Sequence, residues 1–77
     1  MSRSEKLRWY ADQLMADGAA AEKSSRPGDA IVAYLKAADL LLLLGKVEEN
    51  YTSWKNYTDK AEHCQKKAKT LIASRPQ

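Results

Sequence analysis

Apolar residues recur at three- and four-residue steps along three stretches of this chain. Leu7, Tyr10, Ala11, Leu14, Gly18 and Ala21 form the first stripe. Ile31, Tyr34, Leu35, Ala38, Leu41 and Leu42 form the second. Val47, Tyr51, Trp54, Thr58, Ala61, Gln65, Ala68 and Ile72 form the third, widened on one flank by Tyr57, Cys64 and Leu71. Such steps mark one face of an α-helix. The pattern predicts an all-α fold, an antiparallel three-helix bundle with a longer third helix. It fills one domain over residues 1–77, with helices at about 4–22, 28–44 and 47–73.

The second stretch, Asp29 to Leu44, is the most apolar. Its inward face leaves Val32, Leu40 and Leu43 on the other side of the wheel. Contact with the following loop and the third helix is one use for Leu40 and Leu43; a groove for a partner's helix is the other. The third stripe is broad enough to predict a helix touching two neighbours. Trp9 lies about 160° from Leu7 at 100° per residue, so it points away from the first stripe. It either covers a helix end or meets a partner.

The breaks between stripes carry boundary residues. Ser4 is a candidate N-cap with Glu5 behind it. Pro27 stops the first helix and, with Asp29, opens the second. Gly45 suits a left-handed C-terminal cap, followed by Lys46. The third helix is expected to start near Lys46 to Glu48, and Pro76 to mark its end. Short connections predict antiparallel neighbours.

Composition agrees with helices. The chain has no Phe and few Val, Ile and Thr, the residues that strands favour. A chain of 77 residues buries only roughly 60–65% of its unfolded surface, which favours a shallow groove over a deep cleft. The formal charge of +3 is spread out and favours encounter with acidic partners. No zinc-finger spacing, RNA-recognition signature or dense Arg cluster points to nucleic acid.

Candidate chemistry is sparse. His63 and the single cysteine, Cys64, are adjacent and point about 100° apart on a helix, so they do not pair as nucleophile and base. A four-ligand metal site lacks further His or Cys. Cys64 reads as core and His63 as a solvated side chain. Glu48–Glu49 and Asp59–Glu62 read as solvated faces beside lysines, whereas general acid or base work needs a pocket. No glycine loop for phosphate is present. The expectation is no catalytic residue, no metal and no cofactor. With no signal peptide at Met1 to Lys6 and a leucine run too short for a bilayer, a cytoplasmic setting is expected. The ending at Ser74 to Gln77 reads as one module of a longer protein.

Two stretches resemble the MIT (microtubule-interacting and trafficking) domain. Ala30-Ile31-Val32-Ala33-Tyr34-Leu35-Lys36-Ala37-Ala38-Asp39 is similar to that family's second helix. Tyr57-Thr58-Asp59-Lys60-Ala61-Glu62 is similar to the third-helix segment of the domain at the N-terminus of ESCRT-disassembling AAA ATPases. The resemblance implies a non-catalytic protein-interaction module. Such modules bind C-terminal tail motifs of ESCRT-III-type proteins, either as a helix between the second and third helices or as an extended strand between the first and third. They thereby recruit an attached enzyme, such as an AAA ATPase, for membrane remodelling, including at endosomes.

Carried residue by residue, the resemblance places tail contacts at Ala33, Ala37 and Leu40 with Lys55, Thr58, Glu62 and Gln65. Trp9 and Leu43 are secondary candidates. Glu62 matches the family's acidic residue, which meets an Arg of the tail. Thr58 departs, standing where related ATPases have a leucine. The turn Ser24 to Gly28 and the short second link depart as well. The alternative reading is a structural or self-association bundle that docks another domain of its own protein.

Overall fold

The computed structural model describes residues 2–74, which form three α-helices and no strand. Helix α1 spans Arg3–Lys23, α2 Pro27–Val47 and α3 Tyr51–Ala73, of 21, 21 and 23 residues. The expectation for Pro76 lies outside the described residues.

Each boundary has a local cause. Ser2, not Ser4, caps α1: its backbone is extended and its hydroxyl accepts from the Glu5 N–H at 3.2 Å. Ser4 already lies in the first turn. At the other end Arg26 N–H donates to Ala21 O (2.8 Å) and Ser25 N–H to Glu22 O (3.1 Å). Ser25 has φ 57, so it takes the left-handed position of this closing motif. Pro27 then starts α2.

The left-handed cap expected at Gly45 is absent. No glycine among the described residues has positive φ, and α2 continues to Val47. Gly45 is instead a buried helix-interior residue beside α3. The start of α3 moves accordingly to Tyr51, where Asn50 Oδ1 accepts from Ser53 N–H at 3.0 Å. In the link, Glu48 Oε1 accepts from Asn50 N–H at 2.9 Å and Glu48 N–H donates back to Gly45 O at 3.4 Å.

Helix α2 is central. It packs against both α1 and α3, whereas α1 and α3 barely meet. Principal extents of 43, 22 and 14 Å make the assembly flat. The broad stripe of α3 therefore does not serve two neighbours: its buried residues are only Tyr57, Ala61, Cys64 and Ala68. The helix that needs two faces is α2, and this accounts for much of its apolar character.

The core is rich in alanine. Ala11, Ala21, Ala30, Ala37, Ala38, Ala61 and Ala68 surround Ile31, Tyr34, Leu41, Leu44, Tyr57 and Cys64. Small side chains let helix axes approach closely but bury little area each. Several residues expected inside lie outside: Tyr10, Leu35, Leu42, Val47, Tyr51, Trp54, Gln65 and Ile72 are exposed. On α2 the inward face is turned toward Ala30, Ala33, Ala37 and Leu44. On α3 it is turned by one residue, from Thr58 and Gln65 to Tyr57 and Cys64.

Candidate interaction surface

Gly45 fixes which sides of α2 and α3 face each other. A β-carbon there would lie 3.6 Å from Thr58 Cγ2 and 3.8 Å from Trp54 Cδ1. On the helical wheel Leu42 and Leu35 fall on the same side of α2 as Gly45, within about 80° of it. Trp54, Thr58 and Gln65 recur along the opposing side of α3 at four- and seven-residue steps. The α2–α3 boundary is thus edged by Leu35 and Leu42, at 43% and 39% exposure, and by a half-open Trp54. Tyr51 stacks beside Trp54 with ring centroids 5.7 Å apart, extending the apolar edge at one end.

Of the site residues expected from sequence, those on α3 lie along this boundary or its outer rim. Thr58 is half-buried and its hydroxyl donates to Lys55 O at 3.0 Å. Lys55 pairs with Asp59 at 3.3 Å, and Glu62 with Lys66 at 3.1 Å, all exposed. Gln65 is exposed.

Those on α2 do not join them. Ala37 is fully buried. Ala33 borders Asp17, Ala20 and Ala21 of α1. Leu40 lines a separate depression with Leu7, Tyr10, Leu14, Lys36 and Asp39, between α1 and α2. The α2 wall of the α2–α3 boundary is Leu35 and Leu42, both assigned to the core by periodicity. The signal for them was the alanine stripe Ala30, Ala33, Ala37, which marks the closely packed side and leaves the leucines at its edge. Trp9 and Leu43 stand exposed on α1 and α2, away from that boundary.

The strongest polar constellation is elsewhere. Tyr34 Oη donates to Glu22 Oε1, and Lys67 Nζ approaches the same oxygen at 3.4 Å. The Tyr34 hydrogen bond, followed by the Lys67 ammonium, holds the Glu22 carboxyl below its usual range against the effect of burial. Burial first, and the Glu22 carboxylate second, push the Tyr34 phenol up to about 12. Burial also raises the Cys64 thiol, so the reactive thiolate is disfavoured in the core. Among the described residues no group of three His, Cys, Asp or Glu is placed to hold a metal ion, and no helix is long and apolar enough to cross a membrane. Compared with family models, characterised proteins and solved structures, the chain matches none.

Proposed function

We propose that this chain is a non-catalytic interaction module, an antiparallel three-helix bundle with α3 the longest. It binds short C-terminal tail motifs of ESCRT-III-type proteins and recruits an attached enzyme, an AAA ATPase in the nearest resemblance, to remodelling membranes in the cytoplasm. The antiparallel reading is supported by contact order along the helices. Glu22, late in α1, meets Tyr34 early in α2; Leu7, early in α1, borders Leu40 later in α2. Gly45, late in α2, meets Thr58 early in α3.

The observation that carries the functional reading is the pair Leu35 and Leu42, one heptad apart and exposed along the flank of α2 whose end at Gly45 meets Trp54 and Thr58. An amphipathic tail helix laid along this edge buries its own leucines there, between rims carrying Lys55 and Glu62. Such an interface is small, roughly 1,000–1,200 Å² in total, and therefore weak for a single copy. Multiple tails on a polymer compensate through avidity.

The test is a titration of the labelled domain with ESCRT-III-type tail peptides, followed by amide shifts. Shifts along Leu35, Leu42, Trp54 and Thr58, lost in Leu42→Asp while the helical spectrum persists, support the reading. Absence of binding to every tail peptide, or an unchanged titration of the variant, overturns it.

A further inference from the structure

We propose that two copies of this chain pair through the outer face of α2, antiparallel, about a two-fold axis passing between Ala37 and Ala38. This face lies opposite the core: Val32, Lys36, Asp39 and Leu43 are all exposed, and Lys36 and Asp39 also border the depression between α1 and α2. The centre of the face holds Val32 and Leu43, at 51% and 45% exposure, with Lys36 and Asp39 between them. The steps from Val32 to Lys36, Asp39 and Leu43 are four, three and four residues, the spacing of a seam between two helices.

The seam is self-complementary. In an antiparallel pair with that axis, Val32 of one copy faces Leu43 of the other, and Lys36 faces Asp39. Every contact occurs twice, as a two-fold interface requires. Asp29 and Lys46 fall opposite each other at the ends. A parallel pair in register sets Lys36 against Lys36 and Asp39 against Asp39, so charge selects the antiparallel arrangement.

Both central charges are available. The ion pairs among the described residues are Arg26–Asp29, Lys55–Asp59, Glu62–Lys66 and Glu22–Lys67. Neither Lys36 nor Asp39 belongs to one, although they stand one turn apart. Asp29 shares its carboxylate with Arg26 at 3.2 Å, but both groups are exposed and the contact is exchangeable. The facing stretch is roughly 25 Å long, which sets the interface near the small end of specific complexes, roughly 1,000 Å². The dimer is therefore reversible. The seam of Val32, Lys36, Asp39 and Leu43 holds none of the residues that edge the α2–α3 boundary, so failure of tail binding leaves it standing.

The test is sedimentation equilibrium of the full chain from roughly 10 to 500 µM at near-physiological salt, a range suited to a small interface. The wild type rises from one chain toward two. Lys36→Asp and Asp39→Lys each set like charges in contact and weaken association by roughly tenfold or more. The double variant restores opposite charges and recovers association to within about threefold. Oxidation of a mixture of Val32→Cys and Leu43→Cys chains gives a cross-linked dimer of one of each. A strict monomer over the whole range, single reversals without effect, or Val32→Cys cross-linking to itself overturns the proposal.

Discussion

The phenol of Tyr34, on α2, donates to the carboxylate of Glu22 near the end of α1 at 2.5 Å, and Lys67 of α3 reaches the same carboxylate. One side chain thus joins all three helices, in an assembly where α1 and α3 otherwise barely meet. Hydrogen bonds to charged groups contribute about 1.5–3 kcal/mol. Tyr34→Phe and Glu22→Gln are each expected to cost about 1–2 kcal/mol in urea unfolding, and the double variant less than the sum.

The same cluster predicts a stability profile with two edges. The Glu22 carboxyl is lowered on folding, so its contribution is present above the usual carboxylate range and drains away as pH falls through the folded value. The Tyr34 phenol is raised to about 12, so its contribution is complete below 10.0 and is lost as pH rises toward about 12. Thermal unfolding across pH should show both edges in the wild type. The alkaline edge should shrink in Tyr34→Phe.

Two glycines make opposite predictions. A β-carbon at Gly18 would lie 3.0 Å from the Tyr34 ring, which is buried and tethered at its hydroxyl. Gly18→Ala is expected to cost about 1–2 kcal/mol, the crowding outweighing better helix propensity. At Gly45 the nearest atoms would be at ordinary contact distance. Gly45→Ala is expected to stabilise by about 0.5–1 kcal/mol. Were Gly45 a left-handed cap, the same change would destabilise, so the melting temperature decides between the two geometries.

Ser25 holds φ 57 at the turn between α1 and α2. A non-glycine residue there carries a steric cost of about 1 kcal/mol. Ser25→Gly should recover up to about 1 kcal/mol, read as a higher urea midpoint with an unchanged slope.

The three helices and their approximate extents were legible because Pro27, the capping residues and the three-four steps agree with one another. The rotation of each helix was less so. On α2, leucines outweighed alanines in the reading, yet close packing selects Ala30, Ala33 and Ala37 for the inside and leaves Leu35 and Leu42 at the edge. On α3, two adjacent stripes share the same period, and only contact with α2 selects Tyr57 and Cys64 over Thr58 and Gln65. The candidate site inherits both outcomes. Its α3 residues were placed from sequence; its α2 wall was not, because that wall is set by how α1 presses on the opposite side. Gly45 misled for a related reason: its local preference for a cap yields to the packing of Trp54 and Thr58 beside it.

The central position of α2 also orders the way the chain comes apart. Both helix pairs include α2, so neither opens fully without uncovering Leu41 or Leu44, which are almost wholly buried. Amide protons of α2 around these residues are the ones that exchange only when the whole chain unfolds, whereas the start of α1, exposed from Arg3 to Lys6, frays far below that threshold.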